Sequence, residues 1–289
     1  MQHTCIVTDA SAQFPKRRIG VQNLVKILPL MFTDNNSELS FAEDNLHHPD
    51  AALSLPTELS ILSSDKDDES KLKHYLTGMA YEFQQVLFLL PTKTFFPSFS
   101  LITQTLQQMN LPSVFNIIDS HSLGYGLGWL IQTCAAVVGR YDNISDVKRF
   151  LHHKIPHIYT LLYLPDLSNL SRSKILDPDQ AFVGGLLGIR PLILLENDQI
   201  IPYQKTRNFK NLVDSMVEYA HEFDRIEYIG LHFGRSVTLA ERKTIQNRLQ
   251  PILPQNPIDA QVMSPYLNHI LGDQAICMIL IESANKYEI

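Results

Sequence analysis

Two short segments place a carboxylate and hydroxyl groups together at the end of an apolar run: Ile6-Val7-Thr8-Asp9-Ala10-Ser11 and Ile117-Ile118-Asp119-Ser120-His121-Ser122. In open α/β sheets the carboxyl ends of strands are where loop amides and helix N-termini converge, and ligands sit there. Two chemistries fit these residues. Asp9 and Asp119 act with the neighbouring serines in phosphoryl or acyl transfer, or they organise the loops by accepting hydrogen bonds from amides at helix starts. Asp9-Ala10-Ser11 lacks a second aspartate that would share a magnesium ion, which favours loop organisation. Ser11, Ser120, Gly124 and Gly126 belong to the same loops, and the glycines let a helix start lie close to a sheet or a ligand.

Other motifs are less informative. Gly124-Tyr125-Gly126-Leu127-Gly128 suggests a dinucleotide loop, but the third glycine of that pattern falls on Trp129. His153 and His157 have the spacing of helix-borne zinc ligands, yet Pro156 between them breaks the helix that would align them. No metal and no cofactor is expected.

The elements that must position these residues follow from periodicity. Strands are predicted at 4–8, 25–31, 86–90 and 114–118, alternating with helices at 70–83, 98–109 and 124–138, which implies a mainly parallel sheet covered by helices. The turn-rich stretch 34–60 reads as irregular surface structure. After Pro156 the pattern changes to strands at 157–163, 191–195, 199–206, 226–232, 258–263 and 275–281, with helices at 208–222 and 237–249. Four polar residues, Glu196-Asn197-Asp198-Gln199, separate two apolar runs and predict a hairpin. The fold class is therefore α/β with two domains, 1–154 with a mainly parallel sheet and 155–289 with a mixed sheet, and the ligand is expected at their junction.

The 289 residues, 45% hydrophobic and 19% charged, are those of a packed globular chain. A net charge of −6 with no clustered basic face argues against a nucleic-acid partner. Three cysteines lie within apolar patterns far apart in sequence, as suits buried thiols in a reducing cytoplasm. The first residues show no leader pattern, and no apolar run reaches the ~18 residues of a membrane span. The expectation is a cytoplasmic protein without an integral membrane segment.

Four segments together resemble the DegV family of fatty-acid-binding proteins. They are Ile6-Val7-Thr8-Asp9-Ala10-Ser11 (family V-T-D-S-T), Ile118 to Gly128 (I-D-S-x-S-x-S-x-G-x-G), Leu187-Gly188-Ile189-Arg190-Pro191-Leu192-Ile193 (L-N-I-K-P-I-L) and Lys205-Thr206-Arg207-Asn208-Phe209-Lys210 (K-x-R-T-x-K). The resemblance implies a two-domain carrier, itself no enzyme, that holds a long-chain fatty acid in an apolar interdomain tunnel. It also implies that the carboxylate is presented to a fatty acid kinase. About fifteen buried methylenes at ~0.8 kcal/mol each give about 12 kcal/mol of gross driving force, so the tail supplies most of the affinity.

At the head-group end the chain departs from the family. Leu62 stands at the threonine of T-S-Q-P, Phe96 at the second serine of S-S-x-L-S-G-T, and Ile270 at the histidine of G-x-H-x-G-P-G. The head-group contacts are either rebuilt from Ser63, Ser98 and His269 or given up for a less polar ligand. Arg172 survives from the G-G-R-I region, and Arg207 is a partner-facing candidate; for both, an ordinary salt bridge is the alternative. Phe95, Leu127, Leu162 and Ile189, with Phe96, are expected to line the tail. The alternative function is a phosphoryl- or acyl-transfer enzyme using Asp9, Asp119 and nearby serines.

Overall fold

The apolar run that precedes Asp9 is strand β1 (Gln2–Thr8). In this computed structural model, which describes residues 2–15, 24–28, 31–34, 37–40, 60–61, 66–96, 98–109, 114–141, 143–172 and 175–283, β1 pairs in parallel with β2 (Val25–Ile27). A separate antiparallel sheet follows, formed by β3 (Met31–Asp34), β4 (Ser37–Ser40) and β5 (Ser60–Ile61). Helix α1 (Lys66–Glu82) then leads into β6 (Phe83–Leu90), and α2 (Ser98–Met109) into β7 (Phe115–Asp119). Helices α3 (Gly124–Val137) and α4 (Ile144–Lys154) complete the first half. The main sheet has the order β2-β1-β6-β7 and is parallel throughout, so the loops after β1, β6 and β7 share one edge.

The second half contains β8 (Ile158–Tyr163), α5 (Ser168–Arg172), α6 (Pro178–Leu186), β9 (Arg190–Glu196) and β10 (Gln199–Thr206). It continues with α7 (Phe209–Ala220), β11 (Ile226–Phe233), α8 (Leu239–Leu249), β12 (Asp259–Val262), α9 (Pro265–Leu271) and β13 (Ile276–Glu282). Its six strands run in the order β10-β9-β8-β13-β11-β12, with the expected β9–β10 hairpin at one edge. The chain therefore has two α/β domains, one sheet parallel and the other mixed.

Strand β13 shows how the second sheet is buried on both faces. Cys277, Ile279 and Ile281 belong to the large core that includes β1, β6 and α3, whereas Ile276, Met278 and Leu280 face a second core with α7 and α8. Alternation along a strand directs successive side chains to opposite faces, and an unbroken apolar run satisfies both. One hydrophobic core thus joins the two domains, with α3 between the sheets.

Three differences from the sequence-based expectation have local causes. The strand expected at 25–31 is divided, Val25–Ile27 staying in the parallel sheet and Met31 opening β3. Residues 34, 37–40 and 60 of the stretch expected to be irregular are strand, and the rest of 34–60 lies outside the described residues. A four-residue strand such as Ser37-Glu38-Leu39-Ser40 gives too short a period to stand out. The short helices α5, α6 and α9 were likewise not expected, since few turns give little periodicity.

Two glycines test this packing. Gly124 has φ +52°, and an added Cβ would lie 2.5 Å from His232 Nε2, while Gly78 in α1 has open space around it. Gly124→Ala is expected to lower stability by at least about 1–3 kcal/mol, and Gly78→Ala to raise it by about 0.5–1 kcal/mol. Urea unfolding of both variants checks the pair.

Candidate functional site at the domain junction

The loop after β1 is built around Asp9, which is fully buried. Its Oδ1 accepts from the Ser11 amide at 2.9 Å and from the Ser11 hydroxyl, and its Oδ2 accepts from Ser98 Oγ at 2.8 Å. Ser98 is the first residue of α2, so the carboxylate ties the loops after β1 and β6 together. Burial pushes the Asp9 carboxyl above its ordinary value, and the bonds from Ser11 and Ser98 only partly oppose this. From the other domain, the Tyr266 ring of α9 lies 5.3 Å from that of Phe96. Burial, with Asp9's charge adding to it, raises the Tyr266 phenol well above its usual range.

A second junction forms at the start of α3. A leucine occupies the N-cap and offers no side-chain acceptor; instead His232 Nε2, from β11 of the other domain, accepts from the Tyr125 amide at 2.7 Å. The imidazole stacks on the Tyr125 ring at 4.0 Å between centroids, and burial lowers its pKa to about 3, so it stays neutral. Gln13 adds a two-ended clamp, its Nε2 donating to the Val262 carbonyl at 3.0 Å and its Oε1 accepting from the Ser264 amide at 3.0 Å.

A third junction involves Asp119. Its Oδ1 accepts from the His121 amide at 2.8 Å, as a loop-organising carboxylate does. The hairpin residue Asp198 approaches this loop from the second domain, and ligand atoms of Asp119, His121 and Asp198 lie within 4.8 Å of one another. Lys93 Nζ is 2.9 Å from Asp198 Oδ2, so a protein ammonium already supplies positive charge there. Burial and the nearby Asp198 raise the Asp119 carboxyl, against hydrogen bonds from the His121 and Lys93 amides.

The expected ligand residues are distributed as follows. Ser98 is engaged by Asp9, and the sequence neighbours His269 and Ile270 lie on α9, the first half-buried and the second buried in the joint core. Phe95, Phe96, Leu127 and Leu162 lie in that same core, whereas Ile189 lies apart, half-buried just before β9. Arg172 ends α5, and Arg207 is exposed beyond β10. Leu62 and Ser63 lie outside the described residues. Ser120 Oγ accepts from the Ser122 amide at 3.2 Å, and a Cβ at Gly126 would collide with Ser122 Oγ, so both remain loop-shaping positions.

A cavity of about 570 Å³ opens between α5 and α6, lined by Leu167, Ala181, Phe182 and Leu186 among others. All of its lining residues fall within 165–186 of the second domain, and helix α5 also contacts α9, the helix that carries Tyr266. No helix among the described residues is long and apolar enough to cross a membrane.

The residues missed by sequence reasoning, His232, Gln13, Tyr266 and Asp198, all act across the domain boundary. Their partners are distant in sequence, 107 residues for His232 and 251 for the Gln13–Ser264 bond. No local pattern marks them.

Asp9 gives a prediction with a definite sign. Its raised pKa means that the folded chain holds a proton that the unfolded chain releases. The stability from that proton is complete below the ordinary carboxylate value of 3.8 and is lost as pH rises through the raised value. Asp9→Asn is expected to flatten this decline in a series of urea melts across pH; an unchanged slope would contradict an Asp9 carboxyl raised by burial.

Comparison with known proteins agrees with this architecture. The family model described as "Uncharacterised protein, DegV family" matches residues 3–283. A DegV domain-containing protein of Staphylococcus aureus strain COL is 23% identical over 174 residues, which cover 57% of this chain and 60% of that relative. Among solved structures, a fatty acid binding DegV family protein from Streptococcus agalactiae superposes with a TM-score of 0.77 at 18% identity, covering 98% of this chain and 100% of the other. The Streptococcus pneumoniae fatty acid kinase B3 protein loaded with linoleic acid gives 0.70 at 16% identity, with 98% and 100% coverage. With the family model spanning almost the whole chain, this protein belongs to the DegV family.

Proposed function

We propose that this chain is a lipid-binding carrier of the DegV type, with residues 1–154 and 155–289 as its domains and an acyl chain held at their junction. The observation that carries the reading is the apolar cavity of about 570 Å³ beside α5 and α6, in a fold shared with proteins described as fatty acid binding. Its size is within the ~300–1,000 Å³ span of small-molecule sites. The tail lies in this cavity and extends toward Phe95, Phe96, Leu127, Leu162 and Ile189. The head group lies toward α9, near Ser98 and His269, with Ser63 and Arg172 as further contacts. A fatty acid kinase is the proposed partner, and Arg207 is a candidate contact on the exposed side.

The polar groups at the head-group end support a weakly polar site. The Ser98 proton is directed at Asp9, and Phe96 and Ile270 add only apolar surface. An ionised ligand there loses hydration and meets few donors. Asp9 and Asp119 accept hydrogen bonds from their own loops, which supports loop organisation over catalysis.

Native mass spectrometry of the purified protein tests the carrier reading, with a copurifying lipid as the expected result. Gly185 lines the cavity and has no atom within 4 Å of an added Cβ. Gly185→Phe is therefore expected to displace the lipid while leaving the thermal melt unchanged. A wild-type protein that carries no lipid and takes up none from added fatty acid would overturn the proposal.

A further inference from the structure

The tip of the β9–β10 hairpin has an aspartate where its backbone favours glycine. Asn197 and Asp198 have φ of 48° and 62°. A two-residue turn of this kind prefers Asn-Gly, because its second residue also needs positive φ. The side chain of Asp198 offsets that strain with contacts to the other domain. Thr92 Oγ1 donates to its Oδ1 at 2.9 Å, His121 Nδ1 is 2.8 Å from the same oxygen, and Lys93 Nζ is 2.9 Å from Oδ2. Thr94 Oγ1 donates to the Asp198 carbonyl at 2.6 Å. The side chain is only 11% exposed.

The four partners come from the loops after β6 and β7, at the carboxyl edge of the parallel sheet, where loop groups converge on ligands in α/β folds. We propose that Thr92, Lys93, Thr94 and His121 form a carboxylate-binding recess, and that Asp198 fills it as an internal ligand that latches the second domain to the first. The contacts from Lys93, His121 and Thr92 outweigh burial and hold the Asp198 carboxyl below its ordinary value. Asp119, whose Oδ1 is 3.8 Å from His121 Nδ1, limits the positive charge of the recess. A monoanionic carboxylate therefore suits it better than a phosphate dianion.

Asp198→Gly tests the proposal cleanly, since glycine relieves the backbone while removing the carboxylate. Two readouts are needed: titration with ¹³C-labelled acetate followed by NMR line broadening, and hydrogen–deuterium exchange of segments 92–96 and 121–125. Wild type is expected to show no saturable acetate binding, Asp198→Gly to show it, and Asp198→Gly with Lys93→Met to lose it again. Exchange in both segments is expected to rise by more than about tenfold in Asp198→Gly, as for loss of one charge-assisted hydrogen bond, with Asp198→Asn in between. Acetate binding equally to wild type and Asp198→Gly, or to neither, would overturn the recess. Unchanged exchange in both Asp198 variants would overturn the latch.

Discussion

The Tyr125 amide is buried beneath the other domain, and the acceptor that satisfies it is the His232 imidazole 2.7 Å away. A helix start leaves amides without intrahelical partners, and a buried one must find an acceptor. Much of the junction follows from this bond. His232 must stay neutral to accept, and full burial keeps it so. Gly124 must lack a side chain, because a Cβ would touch the imidazole. Once α3 is fixed in this way, its apolar residues Leu127, Leu130 and Ile131 complete the core shared by both sheets.

The other junction contacts obey the same constraint. Ser98 and Ser11 converge on Asp9, Gln13 bridges two backbone groups of the second domain, and Ser122 Oγ lies 3.4 Å from Thr160 Oγ1. Buried polar groups that are hydrogen-bonded cost little, whereas unpaired ones cost a great deal. Of these side chains, Gln13 holds the second domain directly, and Asp9 with its two serines fixes the loops that pack against it.

The sequence made the local parts of this legible. The strand ending at Asp119, the helix at Ser98–Met109 and the hairpin around Asn197-Asp198 each carry their signal within a few residues. Asp9 and Asp119 could be read as loop organisers because their acceptor role lies two residues away, at Ser11 and His121. The family was legible for a different reason, the order of four motifs along the chain. His232 was not, since a single histidine in the apolar run Ile229-Gly230-Leu231-His232-Phe233 has no local partner. Asp198 was legible as a turn former but not as a contact, because Thr92 is 106 residues away.

In the proposed carrier the tail, more than the head group, supplies the affinity. A charge-assisted hydrogen bond contributes only about 1.5–3 kcal/mol, against about 12 kcal/mol of gross driving force from some fifteen buried methylenes. At the proposed head-group end, Phe96 and Ile270 are buried apolar residues and Asp9 is a buried carboxyl with its own donors. The direct measurement is a paired equilibrium titration, at neutral pH, of one long-chain fatty acid and its methyl ester. Affinities within about tenfold of each other, less than one full charge-assisted hydrogen bond, are the predicted result. A strong preference for the free acid would contradict the account and show that a carboxylate-specific site operates at this junction.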